Sequence, residues 1–220
     1  MTTATMTAPR RVLATRQARW AQSLARLLAS AGVQPNAVSI AGVGFALLAG
    51  AAFYVSSLRG DAPRIALLLA AAAGIQLRLL CNLLDGMLAV EEGLKSPTGD
   101  IFNEIPDRIA DVVILVGAGH AATSIGPGGS LGWMAAVAAV FTAYVRVFAG
   151  SLGFAQPFIG PMAKQHRMFT LTVATLAAAI EAAIGLPPRA AAVGLILIIA
   201  GSLITAVRRV RLVVSEAGAR

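Results

Sequence analysis

Asn82-Leu-Leu-Asp85-Gly86-Met-Leu-Ala89, followed by Gly99-Asp100-Ile-Phe-Asn103-Glu104-Ile-Pro-Asp107-Arg108-Ile-Ala-Asp111, is the stretch that decides how this chain is read. Its carboxylates lie inside segments otherwise apolar enough to cross a membrane, where a charged side chain is costly and marks a site of function. Composition agrees with that setting: of 220 residues, 57% are hydrophobic and 13% charged, and the mean hydropathy is +0.77. So apolar a chain does not present the surface of an ordinary soluble protein, and its apolar residues come in runs near the ~20 needed to span hydrocarbon. The expected fold class is all-α, a polytopic membrane protein.

Working outward, the runs 37–57 and 190–207 carry no charge and each is long enough for one membrane helix. Between them, 65–84, 101–122, 131–153 and 168–186 read as four further spans, each interrupted by ionisable residues. The breaks hold Asp61-Ala-Pro63, Ser96-Pro97-Thr98-Gly99, Gly126-Pro127-Gly128-Gly129, Gly160-Pro161 and Leu186-Pro187-Pro188, residue types that stop helices and make turns. Six spans are expected in one membrane domain, 37–212, preceded by a tail and surface helix over 1–36 and followed by a cytoplasmic tail over 213–220.

Charge sets the expected orientation. With six spans both ends share one side, and that side collects Arg10, Arg11, Arg16, Arg19, Arg26, Lys95, Lys164, Arg167, Arg208, Arg209 and Arg211, against Arg59, Arg64 and Arg189 opposite. The positive-inside rule then places both termini and the carboxylate cluster at the cytoplasmic face, in a bacterial inner membrane. The net charge of +8 is accounted for in the same way, so no nucleic-acid partner is expected. A single Cys81 excludes an internal disulfide and a cysteine-based zinc site.

Residues 10–31 read as an amphipathic surface helix, with Leu13, Trp20, Leu24, Leu27 and Leu28 on one side and Arg16, Arg19 and Arg26 on another. Such a helix suits the headgroup layer of anionic lipid, or packs on its own protein. The small residues Gly42, Gly44 and Gly50 offer a close-packing stripe, for a homodimer or within one chain.

On a helix, Arg78, Asn82, Asp85, Gly86 and Ala89 are spaced to share one face at the cytoplasmic end of the second span, and Asp100, Asn103, Glu104, Asp107 and Asp111 do the same on the third. A short connection makes these helices expected antiparallel neighbours whose polar faces meet. Carboxylate and amide oxygens converging there suit a hard cation, Mg²⁺ or Mn²⁺. Gly86 and Ala89 keep the face low enough for a phosphate to approach the backbone.

These residues resemble the signature of the CDP-alcohol phosphotransferase family, Asp-x-x-Asp-Gly-x-x-Ala-Arg, a spacer, then Gly-x-x-x-Asp-x-x-x-Asp. The matching positions are Asn82, Asp85, Gly86, Ala89, Val90, Gly99, Asn103 and Asp107, with the spacing kept. Gln34-Pro35-Asn36-Ala37-Val38-Ser39 is similar to the family's Pro-Asn-x-x-Thr at the start of the first span. Three positions depart from the pattern: asparagine stands at 82 and 103, and Val90 replaces an arginine. Glu104 and Asp111, on the same helix as Asp107, are candidates to make up the lost carboxylates, and Arg78 the lost cation.

The resemblance implies a membrane transferase: an alcohol hydroxyl attacks the lipid-side phosphorus of CDP-diacylglycerol or a similar CDP-alcohol, and CMP leaves. It implies Asp107 as catalytic base; Asp85, Asn82, Asn103, Asp107, Glu104 and Asp111 as metal ligands; and Asn82, Asp85, Gly86, Ala89, Arg78 and Gly99 around the CDP group. Such chemistry needs a cation to offset the diphosphate and a carboxylate to take the hydroxyl proton. A second basic set, Arg146, Lys164, His166 and Arg167, is expected to hold the phosphate of an alcohol-phosphate acceptor, at and near a helix start. The asparagines at 82 and 103 also leave open a member that binds lipid or nucleotide without turnover. A transporter is disfavoured, because no duplicated half with a broken hydrophobic segment is present.

Overall fold

The computed structural model describes residues 18–94, 96–122 and 128–219. Arg10, Arg11, Leu13, Arg16, Lys95, Gly126 and Pro127, which entered the reading above, lie outside the described residues. Those described form seven helices: α1 (Arg19–Ser30), α2 (Pro35–Ser56), α3 (Asp61–Val90), α4 (Gly99–Ala121), α5 (Gly128–Ser151), α6 (Lys164–Ala183) and α7 (Ala190–Gly218). Local chemistry fixes several of their ends. Pro35 occupies the first turn of α2, where its missing N–H leaves no bond unmade, and Gly32, with φ of 74°, turns the chain between α1 and α2.

Four helices, α2, α3, α5 and α7, are long and apolar enough to cross a membrane. Of the remaining three, α1 has only 12 residues, while α4 with 23 and α6 with 20 have the length but carry ionisable residues: Asp100, Glu104, Asp107, Arg108 and Asp111 on α4, and Lys164, Arg167 and Glu181 on α6. The bundle is an integral-membrane architecture, clad in exposed Leu, Ile, Val and aromatic side chains such as Leu48, Val137, Tyr144, Phe169 and Val214. The bundle interior sets larger side chains such as Phe53, Leu68, Ile114 and Leu195 among many alanines, Ala46, Ala49, Ala71, Ala118, Ala139, Ala178 and Ala192 among them, which let helix backbones approach closely where lipid supplies no hydrophobic drive to associate.

Contacts run from α2 to α3, α3 to α6, α6 to α7, α7 to α5, α5 to α4 and back from α4 to α2, closing a ring of six helices. This corrects one expectation: α3 and α4, though consecutive, touch sparingly, and α2 packs extensively against both. The closest approach on α2 explains why. A Cβ on Gly117 of α4 would lie 2.7 Å from the Cα and carbonyl oxygen of Gly50, so α2 and α4 pack backbone to backbone. A Cβ on Gly42 would lie 3.2 Å from Cys81 Cβ of α3, whereas Gly44 faces open space. Gly42 and Gly50 of the small-residue stripe therefore serve packing within the chain.

Cross-helix bonds define the two ends of the ring. Ser39 meets Asp85, Glu104 meets Arg146, Lys164 meets Asp107 and Arg209 meets Thr142, so the starts of α2, α4 and α6 share an end with the later parts of α3, α5 and α7. At the far end, Arg64 reaches the Ala121 carbonyl and Glu181 accepts from the Ala190 amide. Helix α1 lies outside the ring, against α3, through Ala21 and Ala25. The expected apolar stripe of α1 is thus divided: small alanines dock it, while Trp20 and Leu27 are exposed beside Arg19 and Arg26. Helix α7 continues through Gly218, past the expected ends of its span and domain, because nothing after Val207 breaks it.

Candidate functional site

The polar faces of α3 and α4 do converge, but through an arginine. Arg78, buried to 1% exposure, donates from Nη2 to Asp107 Oδ1 at 3.3 Å, to the Asp107 carbonyl at 3.2 Å and to Asp111 Oδ1 at 2.9 Å. Asp111, equally buried, takes a second bond on Oδ2 from Arg167 Nη2 at 2.9 Å. Arg167 also bonds the Thr142 hydroxyl and the Met162 carbonyl. Three helices are thereby tied across the ring by one buried carboxylate and two guanidinium groups. Removing any one member leaves uncompensated charge in a low-dielectric interior, so the set is held together by necessity.

Above this tie lie the groups with access to the open end. Asp107 takes Lys164 Nζ on Oδ2, with Arg108 Nη2 at 3.6 Å from the same oxygen. Glu104 is paired with Arg146 and, at 3.7 Å, with Arg108. Arg146 in turn donates to Gln156 Oε1 at 2.8 Å and lies 5.5 Å from the centre of the Phe158 ring. Across the site on α3, Asp85 accepts from Ser39 Oγ at 2.7 Å and lies within electrostatic range of Asp107 and Lys164. Helix geometry accounts for this grouping, since Lys164 and Arg167, three residues apart, share a face, as do Asp107 and Asp111 four apart.

Placement of the remaining candidates is uneven. Asn82, one turn before Asp85, has its amide nitrogen buried without a hydrogen-bond partner. Gly86, Ala89 and Gly99 are partly exposed, and Asn103 and Asp100 are exposed on the first turns of α4. His166 is exposed, and its position on α6 turns it away from the face of Lys164 and Arg167. Glu104 and Asp111 face guanidinium groups, the surroundings of an ion pair rather than of a cation ligand. Among the described residues no three His, Cys, Asp or Glu side chains gather as metal ligands. Asp107 too lies among cations, Arg78, Arg108 and Lys164; by chemistry alone, the hard oxygens that would suit a divalent cation are the carboxylates of Asp85 and Asp107 and the amide oxygens of Asn82 and Asn103.

Two features escaped the sequence reading. Arg209 is 5% exposed rather than a surface anchor, donating to the carbonyls of Thr142 at 2.6 Å and Ile159 at 3.1 Å. Its signal was the buried polar row Ser202, Thr205 and Arg209, spaced by three and four on α7. The other is the connection from α5 to α6, whose Gln156, Ile159 and Met162 bond to Arg146, Arg209 and Thr205 and so fix the basic residues in place. Gly160, at φ 115° and with Thr205 where its Cβ would be, permits that path. The Asn36 amide, bonded to Ser96 and Thr98, ties the start of α2 to the link between α3 and α4.

No described family matches the chain by sequence profile, and no curated protein matches it by sequence. Solved structures do. Phosphatidylinositol phosphate synthase of Mycobacterium tuberculosis with CDP-DAG bound superposes with a TM-score of 0.72 at 24% identity, over 89% of this chain and 94% of that one. The same enzyme in complex with manganese and citrate gives 0.71 at 23%, over 88% of each chain, and its apo form 0.67 at 23%, over 86% and 93%. At this identity, what the chain shares with the mycobacterial synthase is its fold, along nearly its whole length.

Proposed function

We propose that the chain is an integral-membrane CDP-alcohol phosphotransferase, moving a substituted phosphate group from CDP-diacylglycerol or a similar CDP-alcohol to an alcohol acceptor and releasing CMP, in phospholipid synthesis. One observation carries the reading: the spaced signature from Asn82 to Asp107 falls at one end of the ring, on a fold shared with a synthase that binds CDP-DAG. We place this end at the cytoplasmic face, where most of the basic residues lie, with anionic lipid against α1.

In this reading Asp85 and Asp107, with Asn82 and Asn103, hold a divalent cation, Mg²⁺ or Mn²⁺, of the kind present in the manganese complex of the synthase. When bound it offsets the charge of the diphosphate. Ser39 holds the Asp85 carboxylate toward the site through its 2.7 Å bond. Asp107, the last aspartate of the spaced signature and paired with Lys164 of the basic set, takes the proton of the acceptor hydroxyl. Gly86 and Ala89 leave space for the cytidine diphosphate. Arg146, Lys164 and Arg209 give the acceptor side a positive wall, suited to an alcohol phosphate.

A second reading, a protein that binds the CDP-lipid without turnover, is favoured by the two asparagines, each of which removes a negative charge from the cation's donor set. One assay separates the two. Purified protein with CDP-diacylglycerol, Mn²⁺ and a panel of alcohols and alcohol phosphates is expected to release CMP and to form one new phospholipid by mass spectrometry. CDP-lipid binding with no CMP from any acceptor would instead select the second reading.

A further inference from the structure

Asp107, the carboxylate assigned above to take a proton, is fully engaged in the structure. Oδ1 faces Arg78 at 3.3 Å, while Oδ2 carries the Lys164 ammonium and has Arg108 3.6 Å away. A divalent cation approaching Oδ2 meets the like charge of the Lys164 ammonium, and an acceptor hydroxyl there shares the oxygen with it. For a divalent cation to reach Asp107, one of the three cations beside it has to move. Arg78 is buried at 1% exposure and held by Asp111 as well, whereas Lys164 is 24% exposed, is the first residue of α6 and has a flexible four-carbon stem.

Something must draw it off, and the charge around it points to what does. On the accessible side, the cations Lys164, Arg108 and Arg146 face the carboxylates Asp107 and Glu104. Arg209 of α7, at the same end of the ring, is bonded to neutral carbonyls among its recorded partners. This wall has more positive charge than its carboxylates balance, and an entering phosphate oxygen would compete with Asp107 for the Lys164 ammonium.

We propose that Lys164 is a latch on Asp107, a positioning residue that keeps this carboxylate engaged until a phosphate-bearing ligand draws the ammonium away and frees Oδ2. The proposal rests on the functional reading above and deepens it: anion binding and cation binding become coupled through one side chain. Any such coupling is reciprocal, and a value of about tenfold is typical for linked sites. The anion is a phosphate monoester in solution or the headgroup phosphate of an anionic lipid, which share the chemistry.

The test measures Mn²⁺ affinity by electron paramagnetic resonance on full-length protein in phosphatidylcholine nanodiscs. It is repeated with sn-glycerol 3-phosphate added, and separately with phosphatidylglycerol in the disc. In the unaltered protein one of these anions is expected to tighten Mn²⁺ binding about tenfold, and whichever does so identifies the source. Lys164→Met should bind Mn²⁺ about tenfold more tightly at the outset and respond little to either anion, while Lys164→Arg, which keeps the cation, should still respond. The latch is overturned if neither anion changes Mn²⁺ affinity in the unaltered protein, or if Lys164→Met responds as fully. Mn²⁺ binding without this coupling removes the latch alone; no Mn²⁺ binding by any of the three proteins overturns the functional reading together with it.

Discussion

The two ends of the helix ring solve the problem of polar groups in a membrane protein in opposite ways. At the far end the recorded partners are neutral groups of neighbouring helices: Arg64 meets the Ala121 carbonyl, Glu181 the first amide of α7, and His120 lies edge-on to Tyr54 with ring centres 5.1 Å apart. These contacts finish helix ends. At the charged end opposite charges meet one another across helices, with Asp111 between Arg78 and Arg167, Asp107 beside Lys164, and Glu104 beside Arg146. Buried nitrogens of Arg78, Arg167 and Asn82 have no hydrogen-bond acceptor there, and Arg64 Nε has none at the far end. A fold that merely needed closing could close this end as it closes the other. The contrast is what marks one end as a site and the other as scaffold.

The largest effect that would break this contrast is at its deepest residue. Asp111→Ala strands two buried guanidinium groups and is expected to lower stability by about 3–5 kcal/mol, read from unfolding in mixed micelles. CMP release should fall with it, because α3, α4 and α6 lose their common tie. A smaller effect belongs to the scaffold. Gly117→Ala pushes a methyl group into the backbone of Gly50 and is expected to cost about 1–3 kcal/mol. Here the protein that remains folded should keep its CMP release per molecule, since the wedge between α2 and α4 lies away from the charged end. If both variants lost activity only in proportion to folded protein, the division into site and scaffold would fail.

Much of this division could be read from the sequence, and the parts that could not have physical reasons. The expected span 37–57 became α2 at Pro35–Ser56, because an uncharged run of the right length has few alternatives in a membrane. The cluster on α3 and α4 was visible because carboxylates in apolar segments stand out against their background. The order of helices around the ring was not visible. It depends on close approaches such as Gly50 to Gly117, made by residues too small to leave a periodic pattern. The burial of Arg209 was hidden for a related reason. A basic residue after an apolar run looks like an interfacial anchor, and only the three-dimensional path of α7 shows it turned inward onto the Thr142 carbonyl. The partners of Glu104 and Asp111 were hidden too, since the arginines that meet them come from α3, α5 and α6, far along the chain.

Asn82 and Asn103 carry the sharpest question about the charged end, for they leave Asp85 and Asp107 as the carboxylates of the family pattern. The measurement that tests the account most directly is CMP release from CDP-diacylglycerol with Mn²⁺ and the acceptor panel, comparing the unaltered protein with Asp107→Asn. That substitution keeps the shape of the side chain and removes its ability to take a proton. The account predicts CMP release by the unaltered protein and a loss of about 100-fold or more in the variant, with CDP-lipid binding retained. CMP released at an unchanged rate by Asp107→Asn would contradict it.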